Sequence, residues 1–200
     1  MVVLKRLASV GPLALLVAAA ATAAGCFLDY EPPPKPVSNW SVSDAREFNE
    51  FHLYWLGRSY QGLPLTSMRA TTDGDGVRHA TFSYGEPNLA GGAPSQSWVP
   101  PLEVDIQPYC GFSPEEFLSW AGRYVESEVS PVQIRGVNGY LERYSSKEAS
   151  LNLWAGPSTI HLYTWKTDLD IEQAARDLIP IAEAASATLK PLPPPTSTEC

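Results

Sequence analysis

The chain has 200 residues, of which 44% are hydrophobic and 10% aromatic, and its formal net charge is −8. This supply of apolar residues suffices for a domain with a core and excludes a generally disordered chain. The acidic balance argues against nucleic acid and anionic membrane surfaces as partners, because both are bound by basic patches.

The first 25 residues have the order of a secretory signal peptide. Lys5 and Arg6 precede an uncharged run, 7–24, rich in Leu, Val and Ala, and small residues stand directly before Cys26. A run of roughly 18 apolar residues could also remain as an uncleaved anchor, but its alanine content and small terminal residues argue against that. We therefore predict a signal peptide over 1–25.

The residues Ala23-Ala24-Gly25-Cys26 resemble the lipobox of bacterial lipoproteins, although Ala23 stands where such motifs usually carry Leu. The resemblance implies cleavage before Cys26, a diacylglyceryl group on its thiol, and two or three acyl chains in all, palmitate among them. Two or more chains, at about 0.8 kcal/mol per buried CH₂, anchor a protein stably. The alternative is an ordinary cleavage site followed by an unmodified or disulfide-bonded cysteine. We expect an extracytoplasmic protein, lipid-anchored to a cell membrane that the sequence does not identify.

The mature chain divides into a tether, a domain and a tail. The signal contains two of the 14 basic residues and none of the 22 acidic ones, so the mature chain carries −10. Residues 26–42 form the predicted lipidated tether, since Pro32-Pro33-Pro34-Lys35-Pro36 favours semi-rigid polyproline II. Residues 43–190 form one predicted domain, and the Pro-rich residues 191–200 are predicted to be disordered.

Two cysteines remain after Cys26. In an exported protein Cys110 and Cys200 can form a disulfide, which would stabilise the fold by up to about 4.5 kcal/mol. Two free thiols are the alternative, because Cys200 ends a tail rich in Pro and Thr.

The first half of the domain has the pattern of three strands followed by a helix. Ser43 to Phe48 form a predicted short helix with Ser43 as its N-cap, and the apolar run 51–56 is expected to pack on the core. Strands are predicted over 65–71, 77–84 and 102–107. The turn Asp73-Gly74-Asp75-Gly76 is typical of a hairpin and lacks the spacing of a calcium loop. A helix is then predicted to begin at a capping box, Ser113 with Glu116, and to end at Ser130-Pro131.

The second half repeats this plan with four strands and a helix. Strands over 133–137 and 140–144 flank Asn138-Gly139, a strong hairpin signal. Strands over 150–154 and 159–165 follow, joined by a turn at Ala155-Gly156-Pro157-Ser158. The last helix begins near Asp168 or Asp170, with Pro180 expected to kink or split it. We therefore predict an α+β fold: an antiparallel sheet of about seven strands in two meanders, each followed by a helix packed on one face.

A second resemblance extends over most of the mature chain. The segment 51–65, the run Phe82-Ser83-Tyr84-Gly85, Ile134-Arg135-Gly136 and Leu151-Asn152-Leu153-Trp154 are similar to a bacterial domain of unknown function. Such domains occur in exported lipoproteins and in extracytoplasmic parts of membrane-bound regulators. The resemblance implies fold and location, and it carries no catalytic residues.

The sequence contains none of the common enzyme motifs, such as Gly-x-Ser-x-Gly or His-Glu-x-x-His. The three histidines, His52, His79 and His161, are isolated, and no pair of His and Cys residues has metal-ligand spacing. We predict no catalytic residue, metal site or cofactor. A Ser-His-Asp set assembled in space remains the alternative.

The predicted binding face lies on the last two strands. His161, Tyr163 and Trp165 alternate with Ile160 and Leu162, and the neighbouring strand can add Asn152 and Trp154 to the same face. Trp98, on the Gly/Pro-rich loop 86–101, is a further candidate. The alternative is that the segment 51–56 covers this face, which would then be core.

These observations predict a non-enzymatic lipoprotein that binds a ligand or a partner of the cell envelope. Its partners would be the membrane, through the lipid anchor, and an envelope protein, a glycan or a lipid, but not nucleic acid. The alternative is an extracytoplasmic hydrolase with a spatially assembled site. A carboxylate and a hydroxyl that converge on His161 or His79 in a concave pocket would favour the enzyme. An aromatic groove without convergent titratable groups would favour binding.

Overall fold

The computed structural model describes residues 38–72, 76–89, 98–110, 113–120, 127–144, 148–166, 168–183 and 189–196. The helices are α1 (Val42–Glu47), α2 (Pro114–Trp120) and α3 (Ile171–Asp177). The strands are β1 (Ser38–Asn39), β2 (Tyr54–Trp55), β3 (Ser59–Tyr60), β4 (Leu63–Thr72), β5 (Arg78–Tyr84), β6 (Asn88–Leu89), β7 (Trp98–Val99), β8 (Leu102–Pro108), β9 (Glu128–Ile134), β10 (Val137–Arg143), β11 (Ala149–Ala155), β12 (Ser158–Thr164) and β13 (Ile179–Pro180). The predicted signal peptide and residues 26–37 of the predicted tether lie outside the described residues.

One antiparallel sheet organises the described part of the chain. Its strands run in the order β1-β4-β5-β8-β12-β11-β10-β9, with β3 paired to β4 at the side. Two-stranded sheets pair β13 with β2 and β6 with β7. The ladder between β8 and β12, in which Val104 lies opposite Leu162, joins the two predicted meanders into a single sheet. The domain is therefore mainly β, and the predicted two-meander α+β arrangement is wrong.

The first face of the sheet carries the core. Cross-strand pairing aligns one apolar row over four strands, formed by Phe82, Val104, Leu162 and Leu151, and all four side chains are fully buried. Helix α3 and the segment 51–56 belong to the same buried cluster and cover this face. The prediction that 51–56 packs on the core is confirmed, and burial of this apolar area is the main stabilising contribution.

Helix α2 lies on the opposite face of the sheet. Phe117 stacks on Tyr140 with ring centroids 5.7 Å apart and meets Trp154 edge-on at 5.9 Å. Because side chains alternate along a strand, Trp154 points away from the face that buries Leu151 and Leu153. The prediction that both helices pack on one face is therefore also wrong.

Two positions at which the sequence predicted that a helix ends or kinks lie in strands. The predicted cap of α2 is confirmed, since the Glu116 amide donates to the Ser113 hydroxyl at 3.1 Å and the Ser113 amide donates to the Glu116 carboxylate at 2.8 Å. Ser130-Pro131, the predicted end of this helix, lies inside β9. Asp170 caps α3, and Pro180 belongs to β13 because proline cannot continue a helix. Among the described residues no helix is long and apolar enough to cross a membrane.

The hairpin between β9 and β10 turns at Arg135-Gly136 and not, as predicted, at Asn138-Gly139. Arg135 and Gly136 have positive φ values of 50° and 92°, which a type I′ turn requires. Gly139 lies within the ladder instead, where an added Cβ would come 2.5 Å from Leu153 Cδ2 and closer still to the Asn152 carbonyl oxygen. This glycine is needed for close packing between strands and not for a turn.

The described domain also extends further than 43–190. The amide of Trp40 donates to the carbonyl oxygen of Met68 at 2.9 Å, so the chain already belongs to the sheet at β1. Ser41, and not the predicted Ser43, caps α1 and forms a capping box with Asp44. Part of the predicted tether is therefore folded. Part of the tail that was predicted to be disordered also packs on the domain, as described below.

Candidate functional site

The second face of the sheet, called the polar face below, carries polar side chains across its middle strands. Pairing aligns one row over five strands, formed by Thr81, Asp105, His161, Asn152 and Tyr140. Sequence alternation places these residues here, because each neighbours a core residue of the first face along its strand. Most of the predicted binding residues lie on this face.

Two of the predicted binding residues are buried. Trp154 is 1% exposed, and it is enclosed by Phe117 and Tyr140. Asn152, its neighbour on β11, is 9% exposed. The part of the polar face under α2 is thus a second, smaller core. Helix α2 covers it, in place of the segment 51–56 that the sequence suggested.

The other predicted residues do not form one surface. Trp165 is half-buried and its indole donates to the Val99 carbonyl oxygen at 3.2 Å. Tyr163 is half-buried, and burial is the main cause that raises its pKa, with smaller contributions from Glu148 and Glu103. Trp98 lies in β7, which pairs with β6. The structure brings His161 and Asn152 side by side but does not gather the six residues into one open site.

A carboxylate meets both a histidine and a hydroxyl on the polar face. Asp105 Oδ1 lies 3.5 Å from His79 Nδ1, and Asp105 Oδ2 accepts a hydrogen bond from Thr81 Oγ1 at 2.8 Å. An activated nucleophile needs its hydroxyl on the histidine, whereas Thr81 directs its hydroxyl at the carboxylate and is 4% exposed. These three residues therefore hold the sheet together rather than form a triad.

Glu142, a buried acid on this face, is satisfied by neighbouring hydroxyls. Glu142 accepts from Ser127 Oγ at 2.6 Å and from the Tyr144 hydroxyl at 2.9 Å. Burial raises the pKa of Tyr144 to about 12, and Glu142 adds to that rise while Ser150 opposes it. Such networks are stabilising when complete. Within the described ranges no group of three or more His, Cys, Asp and Glu residues is arranged for a metal ion.

A cleft of about 570 Å³ is lined by a different set of residues. Residues between 46 and 54, the segments 179–183 and 189–193, and Arg135 form its walls. Its volume is within the range of small-molecule sites, roughly 300 to 1,000 Å³. We call it the C-terminal cleft. None of the predicted binding residues lines it.

Arg135 holds two walls of the C-terminal cleft together. Its guanidinium donates to the carbonyl oxygens of Leu178 and Lys190, and its own carbonyl accepts from the Leu192 amide at 2.9 Å. Burial is the main cause that lowers the pKa of Arg135, while Tyr54 and Glu183 oppose that shift. Its positive φ is uncommon for a residue with a side chain, and these contacts hold it in place.

The C-terminal segment, 189–196, forms the outer wall of the cleft. The Gly156 amide donates to the Pro193 carbonyl oxygen at 3.0 Å, and the Thr196 amide donates to the Gly156 carbonyl oxygen at 2.7 Å. Leu192 is 5% exposed. The predicted disorder from residue 191 is therefore wrong as far as residue 196. Polyproline-like chain has no internal hydrogen bonds, so its amides and carbonyls are available to a neighbouring turn, and composition alone does not reveal that partner.

Of the remaining predicted sites, Cys26 and Cys200 lie outside the described residues. Cys110 is disulfide-bonded. Its pairing with Cys200 and the lipidation of Cys26 stay predictions. Comparison of the chain with protein families, curated proteins and solved structures found no match.

Proposed function

We propose that the protein is an extracytoplasmic, lipid-anchored lipoprotein that binds a ligand or a partner of the cell envelope through the C-terminal cleft, without catalysing a reaction. The observation that supports binding most directly is the cleft itself. Apolar side chains from three segments, Phe51, Ile181 and Leu192 among them, meet there around a 570 Å³ space. Concave, mostly apolar sites of this size are typical of ligand binding.

The hydrolase alternative has less support from the same geometry. The group of residues that comes nearest to a catalytic triad is Asp105 with His79 and Thr81, on the polar face. In this group the Thr81 hydroxyl donates to the Asp105 carboxylate. The C-terminal cleft contains His52, but Ser158 directs its hydroxyl to the His52 carbonyl oxygen and not to the ring. Neither the Thr81 hydroxyl nor the Ser158 hydroxyl is therefore directed at a histidine ring.

Anchoring is tested by the variant Cys26→Ser. If Cys26 carries acyl chains, wild-type protein partitions into a detergent phase and the variant stays in the aqueous phase. The melting temperature of the domain should be unchanged, because residue 26 precedes the described fold. A processed Cys26→Ser protein that still enters the detergent phase would refute the lipid anchor.

Binding through the cleft is tested with a matched pair of exposed leucines. Leu189 lines the cleft and is 46% exposed, whereas Leu118 lies on α2 and is 42% exposed. Leu189→Trp should fill the cleft and prevent binding of any ligand that co-purifies with the wild-type protein. Native mass spectrometry detects the bound ligand. Leu118→Trp should retain it. Equal retention by both variants would place binding elsewhere.

A further inference from the structure

The C-terminal cleft differs in charge from the protein that carries it. The whole chain has a net charge of −8, yet Arg46, Arg135 and Lys190 line the cleft and Glu183 is the one acid among its described lining residues. Lys190 Nζ lies 3.8 Å from the Glu183 carboxylate, and this pair offsets one positive charge. Two basic residues therefore remain in excess at this site.

The excess charge is not removed by the hydrogen bonds of the two arginines. The bonds described for Arg135 all end on backbone carbonyl oxygens, and Arg46 Nε donates to the Ile181 carbonyl oxygen at 3.3 Å. Carbonyl dipoles satisfy N–H donors but carry no net charge. An anion in the cleft would thus meet a positive potential that Glu183 and Asp177, the carboxylates acting on Arg135, offset only in part. The low dielectric of the apolar walls strengthens this potential.

The walls between these cations are apolar. Phe51, Leu53, Ile179, Ile181 and Leu192 line the cleft, and each is less than 8% exposed over its whole surface. A hydrocarbon body placed against these walls would be removed from water, which is favourable in proportion to the area covered. Inorganic anions have no such body and would gain only the electrostatic part.

Building on the proposed function, we propose that the ligand of the C-terminal cleft is an anionic amphiphile, with a single carboxylate or phosphate head near Arg46 and Arg135 and a hydrocarbon chain against the apolar walls. The two excess cations match one head group rather than the phosphate row of a nucleic acid, which needs an extended basic surface. Free fatty acids and phospholipids share this chemistry.

Equilibrium dialysis of the mature chain with Cys26→Ser tests the inference without detergent. The probes are dodecanoate, dodecyl phosphate and uncharged methyl dodecanoate, with acetate and inorganic phosphate as head-only probes. We expect both amphiphilic anions to bind more tightly than the ester, and the head-only probes not to bind. The ratio between dodecanoate and dodecyl phosphate then distinguishes a carboxylate source from a phosphate source.

Variants locate the site and separate the two proposals. Arg46→Gln should weaken binding of the anions about fivefold, the upper end for an exposed charge, and leave the ester unaffected. Lys166→Gln, at a lysine paired with Asp168 at 3.1 Å outside the cleft, is the control. Equal affinity for the ester and the anions would overturn the proposal of an anionic head group. If Leu189→Trp then abolished binding of these probes, the proposal that binding occurs in the cleft would still stand. Binding of no probe would overturn the amphiphile. A co-purifying envelope protein that Leu189→Trp displaces would then still support the proposed function.

Discussion

Arg135 Nε donates a hydrogen bond to the carbonyl oxygen of Lys190 at 2.7 Å, although the two residues are 55 positions apart. This contact fastens the C-terminal segment to the turn between β9 and β10. It also explains why an arginine occupies a backbone conformation that favours glycine: the guanidinium reaches the two walls of the cleft from that turn. A positive φ is unfavourable for a residue with a side chain, and the hydrogen bonds of the guanidinium offset that cost.

Two substitutions separate these opposing effects. Arg135→Ala keeps the positive φ and loses the guanidinium, so it should lower the free energy of unfolding by about 2 kcal/mol. Arg135→Gly loses the same hydrogen bonds but relieves the backbone strain, and should therefore cost about 1 kcal/mol less than Arg135→Ala. Urea denaturation measures both. A glycine variant less stable than the alanine variant would contradict this account of the turn.

Gly139 provides a second test of the same hairpin. Gly139→Ala should destabilise by about 1–3 kcal/mol, because the new methyl group overlaps Leu153 and the Asn152 carbonyl. Asn138→Ala, at an exposed position of β10, should change stability by less than about 0.5 kcal/mol. If Asn138-Gly139 were the turn, the asparagine substitution would be costly as well, so the pair of melting temperatures decides between the two registers.

Local pattern predicted most strands but not how they assemble. The alternation Leu102, Val104, Ile106 located β8, and Ala155 to Ser158 located the turn between β11 and β12, because side-chain period and turn residues act over a few positions. The pairing of β8 with β12 joins residues 50 or more positions apart. That contact depends on the surfaces of both meanders, and no local signal predicts it.

The candidate site was missed for a related reason. The sequence directed attention to Trp154 and its neighbours, since aromatic residues alternating with aliphatic ones are typical of a two-sided strand. Which face is covered depends on α2, and the outer wall of the cleft comes from a Pro-rich tail whose partner is the turn at Gly156. The usable signals were the apolar run 51–56 and Leu192 between prolines.

Trp154 and Trp165 should respond differently to truncation. Trp154 is 1% exposed under α2, so Trp154→Ala should cost about 3–5 kcal/mol. Trp165 is half-buried and makes one hydrogen bond to Val99, so Trp165→Ala should cost less than about 2 kcal/mol. Thermal melting compares the two. Equal losses would mean that α2 does not cover Trp154 as the structure has it.

His161 should make the fold sensitive to acid. Burial is the main cause that lowers its pKa, and Asp105 and Glu142 on the same face only partly oppose this. Because the folded state holds the neutral ring, the contribution of His161 is fully present above the unfolded pKa of about 6.5 and is lost as pH falls through the lower folded pKa. His161→Asn should therefore flatten the fall in unfolding free energy below pH 6.5. An unchanged pH profile would contradict the buried neutral ring.

The Cys110 disulfide can be formed with Cys200 or with Cys26, so the identity of its partner tests both the attachment of the C-terminal segment and the predicted lipidation. The Tyr109 amide donates to the Pro157 carbonyl oxygen and the Thr196 amide to the Gly156 carbonyl oxygen, both at 2.7 Å. The carbonyls of the adjacent residues Gly156 and Pro157 thus bind Thr196, four positions before Cys200, and Tyr109, the residue before Cys110. Four extended residues span up to about 13 Å. We therefore expect Cys200 to be able to reach Cys110.

We therefore expect peptide mapping of the non-reduced protein to link Cys110 with Cys200 and to find Cys26 with the added mass of its acyl chains. A thioether sulfur cannot form a disulfide, so a Cys26–Cys110 link would refute both the pairing and lipidation of that molecule. Cys200→Ser is the matched variant: it should lower the melting temperature and leave detergent partitioning unchanged. If Cys200→Ser left the melting temperature unaltered, the disulfide would not be what fastens the outer wall of the cleft.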